Sequence, residues 1–356
     1  MATSLAPTID AYEPRRTGRG WHHDDISLLV GSAISAGAIT WLAIVQLTTI
    51  RNIVGLWAIW YVTFLMVYRL VTNMHQGRLA ARDKMMTVLI ATGALIVLTP
   101  LVFIISYVVA KGLPAINADF FTKDLSMTGT LDTGGGAAHA IVGTLEQIAI
   151  ACLISVPLGV ATAVFLNEVR GPLRRPVRLF VDAMSGVPSI VAGLFIFAVW
   201  IIQFGKSFSG FAAALAMSVL MLPSITRTSE EVLRLVPGGL REASLALGST
   251  EWRTTWSVVL PTARAGLITS VVLGVARAVG ETAPLIMTSF GNSAMNVNPF
   301  NGPQSSLPLY VYTLIRNPFA AQQSRAWGAA LVLIVLVLVL FTVARVIGAR
   351  QPGARR

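Results

Sequence analysis

The sequence has 356 residues, 54% of them hydrophobic and only 12% charged, where soluble domains run at about 45–50% apolar and 25% charged. One water-soluble core cannot cover that much apolar surface, whereas a bilayer solvates it, so the composition excludes an ordinary soluble domain. The formal charge of +11 sits in short loops between apolar runs. It is not gathered on one face beside groove-reading elements, which argues for membrane lipid and against nucleic acid as a partner.

Residues 1–25 are polar, with Pro7, Pro14, Arg15, Arg16 and Arg19, and are expected to form a disordered cytoplasmic tail. The run from Ile26 is followed by span after span, which is unlike a cleaved signal peptide. At about 20 apolar residues per crossing, eight candidate spans follow: 26–49, 53–72, 86–110, 140–166, 187–204, 208–223, 266–290 and 327–347. The first two are separated only by Arg51 and Asn52, and the sixth is short enough to be tilted or re-entrant. The expected fold class is therefore all-α, a polytopic membrane bundle of about eight transmembrane helices.

Charge orients the spans. An even count starting in the cytoplasm puts the loops 73–85, 167–186 and 224–265 and both termini on one side. That side holds twenty basic residues against six on the other (Arg51, Lys111, Lys123, Lys206, Arg316 and Arg325), so it is the cytoplasmic one. The outer loop at 111–139, with Asp119, Asp124, Asp132 and Gly134-Gly135-Gly136, suits a flexible connection. The outer loop at 291–326, rich in Asn, Pro, Gln and Ser, is expected on the surface.

Catalytic and metal chemistry find little support. Cys152 is the only cysteine, and His22, His23, His75 and His139 lack ligand spacing, so neither a disulfide framework nor a metal site is expected. Gly205-Lys206-Ser207 ends like a phosphate-cradling loop, but Trp200 stands where its first glycine belongs. If ATP drives this protein, another chain hydrolyses it.

The loop 224–265 is patterned as two short helices. In the first, Leu240, Ser244 and Leu247 share a face with Ala243 and Ala246 beside them, and Gly248 breaks it. The second opens at Ser249-Thr250 with Glu251 in its first turn and carries Trp252, Trp256 and Val259 at i, i+4 and i+7. Pro261 disfavours helix at Leu260 and is expected to end it. Such an element either lies along the protein's own inner surface or docks a cytoplasmic partner. Arg277 stands about halfway along the run 266–290, where insertion scales set about 2.5–3.5 kcal/mol against a basic side chain. Glu281, one helical turn on, is placed to neutralise it, or the arginine serves an anionic substrate. Pro157, Pro188, Pro223 and Pro284 lie in or beside spans, where each removes a backbone donor and is expected to kink its helix.

Glu242-Ala243-Ser244, three residues, Gly248, nine residues, then Val258-Val259-Leu260-Pro261 resembles the EAA loop of bacterial ABC importer permeases, with Ser for the second alanine and Val for the usual isoleucine. Gly143-Thr144, Val156-Pro157-Leu158-Gly159, Ser185 to Val191, Ala276 to Leu285, Ser306 to Leu309 and Ala326 to Leu331 narrow the resemblance to the PstA family of phosphate permeases. The match runs from about residue 86 to the C-terminus. It implies a type I importer permease with a core of six spans over 86–356 and a two-span extension over 26–85. It implies inorganic phosphate as substrate and the bacterial plasma membrane as location. It further implies a second permease of the PstC type, a PstB-type ATPase dimer holding ATP and magnesium, and a PstS-type phosphate-binding protein outside. The chain itself would bind no cofactor and carry no catalytic residue. Carried onto this sequence, Arg277, Glu281 and Thr282 line the pathway, and Leu240, Glu242, Ala243, Ser244, Leu247, Gly248, Leu260 and Pro261 form the coupling loop.

Alternatives in other classes are a secondary anion transporter or channel, in which ions drive the cycle and the intramembrane charges form a relay, and a permease for another anion. An intramembrane enzyme lacks a nucleophile–base set or metal cluster. A structural assembly protein would tolerate substitution of Arg277 and Glu281.

Overall fold

A computed structural model describes residues 23–46 and 52–349. Most of the expected tail, Arg51 between the first two spans, and Arg350, Arg355 and Arg356 lie outside the described residues. Among the described residues regular structure is helical, apart from an isolated bridge between Phe290 and Gln304. The helices are α1 (His23–Thr40), continued by a π turn Trp41–Gln46, α2 (Ile53–Gln76), α3 (Arg78–Gly112), α4 (Ala118–Thr122), α5 (Ala138–Glu168), α6 (Arg174–Ser185) and α7 (Ser189–Ile196), continued by a π turn Phe197–Gln203. They are followed by α8 (Gly210–Arg234), α9 (Gly238–Ala246), α10 (Glu251–Thr254), a π turn Thr255–Val259, α11 (Leu260–Val279), α12 (Ala283–Thr288), α13 (Leu307–Ile315) and α14 (Ala320–Ala349).

Seven of these stretches are long and apolar enough to cross a membrane. The count reaches eight when the pair α6–α7, bent by 106°, is taken as one span. The bend falls where Gly186-Val187-Pro188 interrupts the helix, Pro188 having no N–H to continue the ladder. The bend therefore lies at the start of the fifth candidate span and not in the sixth. The sixth extends to Arg234 as the continuous 25-residue α8. Hydropathy hides this because residues 224–234 are polar, yet several of their polar groups are paired: Thr226 Oγ1 donates to Leu222 O (2.8 Å), Thr228 Oγ1 to Ser224 O (2.9 Å), and Glu230 meets three arginines. The expected loop at 73–85 shrinks to Gly77, whose φ of +84° turns α2 into α3 while its N–H bonds Asn73 O. The run 266–290 is likewise split, α11 ending at Val279 and α12 starting at Ala283. Of the four span prolines, Pro157 and Pro223 lie inside helices, whereas Pro188 and Pro284 sit where new ones begin.

The chain divides into two compact units at 103/104, within α3; the division expected after residue 85 also falls inside that helix. In the first unit α1 and α2 form a hairpin whose core is Ala36, Phe64, Tyr68 and Val88. Trp60, Phe64 and Tyr68 stack at 5.9 and 5.8 Å along one face of α2, and Trp60 Nε1 donates to Ala33 O (3.2 Å). Lys84 pairs with Asp25.

In the second unit α5 and α8 are the central pair. Ile148 and Ala151 pack on Ala213, Ala214, Met217, Met221 and Ile225, with Ala278, Val279 and Leu285 completing the cluster. Small residues on α8 allow the close approach that membrane helices need in place of a hydrophobic driving force. A polar tie joins α5 to the start of α13 and the segment before it: buried Gln147 donates to Gln304 Oε1 (3.1 Å), Gln304 donates to Glu146 (2.5 Å), and Leu307 N donates to Thr144 Oγ1 (2.7 Å).

The outer loops differ from expectation. Residues 304–310 of the loop expected on the surface are buried, because Gln304, Ser305 and Leu307 are bonded to α5. The loop 111–139, expected to be flexible, is tied down. Phe120 and Ala137 are buried in one cluster with Leu307, Tyr310 and Ala326, and Tyr310 Oη donates to Gly136 O (3.2 Å). Asp124 accepts from Ser126 Oγ (2.7 Å), Ser126 N (3.1 Å) and Met295 N (2.9 Å). These bonds, the Ser126 side chain foremost, hold its carboxyl below the usual range.

Candidate functional site: the inner helix–glycine–helix and the α11–α12 break

Two regions carry the residues singled out by sequence. The first is α9–α10. Gly248 ends α9 with φ +84°, a conformation that costs other residues about 1–2 kcal/mol, and nothing lies within 4 Å of a Cβ built there. Glycine is required by the turn and not by crowding. The closing hydrogen bonds run from Gly248 N to Leu245 O (2.9 Å) and Ser249 N to Ser244 O (3.2 Å). Thr250 caps α10 by accepting from Arg253 N (3.3 Å), the capping role expected of it. Ser244 turns back to meet Thr254 (hydroxyl oxygens 2.9 Å apart), so it does not share an outward face with Leu240 and Leu247.

Pro261 does not end the second helix. It occupies the first turn of α11, where a missing N–H is tolerated, and the π turn Thr255–Val259 carries the chain into it without a break. That wider turn also separates residues expected on one face: Trp252 and Trp256 are exposed, with rings 5.5 Å apart, whereas Val259 is fully buried. Val259 packs with Ala163, Leu233, Val236, Ala263 and Leu267, and Leu260 lies against the same cluster. What remains outward is Leu240, Glu242, Ala243, Leu247 and the two tryptophans. Leu247 is 88% exposed. This is a largely apolar surface with Glu242 on α9 and Glu251 and Arg253 exposed on α10, continuous through α11 with the spans.

The second region is the break between α11 and α12. Arg277 lies in the last turn of α11, not at its middle, where a cation complements the helix dipole. The helix ends at Val279, so the four-residue spacing to Glu281 does not place the two side chains on one helical face. Among the described residues neither Arg277, Glu281 nor Thr282 makes a side-chain hydrogen bond or ion pair. Arg277 is exposed; Glu281 and Thr282 are half-buried, Thr282 beginning α12. The mutual neutralisation considered from sequence is not formed. The break is held in place by α7: a Cβ at Gly193 would stand 2.6 Å from Pro284 Cα.

Two ionic groups escaped the sequence reading. Glu230, fully buried on α8, meets Arg178 of α6 together with Arg227 and Arg234 of its own helix, and Arg227 also pairs with Asp182. The i,i+3 and i,i+4 spacing of Arg227, Glu230 and Arg234 was a legible signal. Arg241 binds Glu168 at the end of α5; a partner 73 residues away left no local trace.

The model of the binding-protein-dependent transport system inner membrane component family matches residues 155–351. The phosphate transport system permease protein PstA of Mycobacterium leprae is 45% identical over 72% of this chain and 85% of its own length. PstA of Xylella fastidiosa strain Temecula1 is 40% identical over 67% of this chain and 82% of its own. PstA of Pasteurella multocida is 34% identical over 77% and 96%. The residues matched by the family, 155–351, contain both the α9–α10 element and the α11–α12 break, and the chain belongs to the binding-protein-dependent transport system inner membrane components, in their PstA branch.

Proposed function

We propose that this chain is a permease subunit of an ATP-driven importer, carrying inorganic phosphate into the cell. The observation that carries the reading is the exposed α9–α10 face, on the loop that resembles an EAA motif and continuous through α11 with the break at Arg277. The names of its PstA relatives supply the substrate. A second permease of the PstC type completes the pathway, a PstB-type ATPase dimer holds ATP and magnesium, and a PstS-type binding protein delivers phosphate from outside. Closure of the ATPases moves α9, α11 follows because no loop separates it from α10, and the α11–α12 break opens or closes beside Arg277. A guanidinium fork suits the oxygens of phosphate.

The location in this reading is the bacterial plasma membrane with both termini and the α9–α10 element in the cytoplasm, from the excess of basic residues on that side. Cysteines placed as Arg175→Cys and Glu242→Cys in a Cys152→Ser background should resist an impermeant thiol reagent in intact cells. Ready labelling of the Glu242 position would reverse the orientation. The substrate is tested by radiolabelled phosphate uptake in a strain lacking its phosphate permease: restoring this gene should restore uptake, and growth without uptake would remove phosphate as the substrate.

A further inference from the structure

Glu242 faces outward on α9, but its neighbour Arg241 points the other way. Its guanidinium grips both carboxylate oxygens of Glu168, the last residue of α5 (Nη2 to Oε1 2.8 Å, Nε to Oε2 3.2 Å). It also donates to Leu233 O (3.0 Å) in the last turn of α8 and to Val236 O (2.7 Å) in the link that follows. One side chain thus joins α9, α5 and α8, and the pair is largely shielded, with side chains 23% and 14% exposed. A cavity of about 440 Å³ flanks it, lined among others by Arg170, Arg234, Glu242 and Glu251.

α9 contributes no buried residue to any core. Displacement of such a helix reaches α10 and the π turn Thr255–Val259 through the chain and the contacts it makes with them, and reaches α5 through directed side-chain bonds. Among the described residues the side-chain bonds leaving α9 are the Arg241 fork and the Ser244–Thr254 contact. The hydroxyl contact leads to α10 and α11; Arg241 leads to α5 and α8, the pair on which the second unit is built.

We propose that Arg241 is a positioning residue that ties α9 to α5 and α8, so that movement imposed on α9 reaches both sides of the bundle and not α11 alone. This rests on the reading of α9 as the ATPase-facing element. The competing role is local: Arg241 would only cap the carbonyls at the end of α8. Glu168 separates the two, since Glu168→Gln weakens the link to α5 and leaves the carbonyl bonds in place.

The test uses the complete importer in proteoliposomes, comparing the unaltered chain with Arg241→Gln, Glu168→Gln and Glu242→Lys for ATPase co-purification, ATP hydrolysis and phosphate uptake. The expected result is that Arg241→Gln and Glu168→Gln keep the ATPase bound while phosphate transported per ATP falls by about tenfold, within the range of an inter-site coupling. Loss through misfolding would lower uptake and hydrolysis together and leave their ratio unchanged. An unchanged ratio in both variants overturns the proposal, and so does an effect confined to Arg241→Gln, which assigns it the capping role. Loss of ATPase binding in Arg241→Gln also overturns it, placing the residue in the docking face. Glu242→Lys reports on the underlying reading: full ATPase binding and full uptake in that variant mean that α9 does not receive the ATPase, whatever Arg241 does.

Discussion

Arg277→Gln is expected to assemble with its partners and lose phosphate uptake by about 10- to 100-fold, the span of one charge-assisted hydrogen bond to an oxyanion. The double variant Arg277→Glu with Glu281→Arg should fail equally. Had the two side chains formed an ion pair on one helical face, exchanging the charges would have preserved it. The helix instead ends at Val279, and Arg277 is exposed with no carboxylate partner among the described residues. Arg277 is a charged residue within a span beside a break, and charged side chains within spans mark substrate and ion pathways. Uptake and assembly are measured on the same membranes, and near-normal uptake by the exchanged variant would remove Arg277 from the pathway.

Gly248→Val should separate assembly in the membrane from coupling to the ATPase. A β-branched residue at φ +84° is strained by about 1–2 kcal/mol or more, and the strain is relieved by moving α9 away from Thr254, because nothing fills the space around Gly248. Glu242→Lys reverses the exposed carboxylate of α9 without touching the turn. Both variants should insert normally, with ATPase co-purification reduced on the order of tenfold, as for truncated charged contacts at interfaces. Full ATPase binding by both, with full uptake, would leave α9–α10 as a helix pair resting on its own protein.

Much of this organisation was readable from local chemistry. Gly248 and Thr250 announced a turn and a cap because each answers a demand of its own backbone, and the spans followed from apolar runs that lipid requires. Of the residues grouped by the loop pattern, Leu240 to Gly248 do lie on or just after α9, whereas Leu260 and Pro261 open α11. What the residues concealed depended on partners distant in the chain. The continuation of α8 past Pro223 rests on Glu230 meeting Arg178 from another helix. The burial of 304–310 rests on Gln147 meeting Gln304, 157 positions apart. Period-based reading also assumes 3.6 residues per turn, so the π turn Thr255–Val259 rotated Val259 inward and left the tryptophans outside. At Arg277 the residue type pointed to an anion, but the end of the helix two residues later decided that Glu281 is not its partner.

In the proposed function, phosphate movement through this chain is driven by ATP hydrolysed on a partner. The direct measurement is phosphate accumulation in proteoliposomes containing this chain, its second permease, the ATPase and the binding protein, with no ion gradient and the membrane potential clamped at zero. Accumulation should appear only with ATP and magnesium on the ATPase side, and should stop when the ATPase cannot hydrolyse. Accumulation that ignores ATP and follows an imposed ion gradient would contradict the account and make the chain a secondary anion transporter.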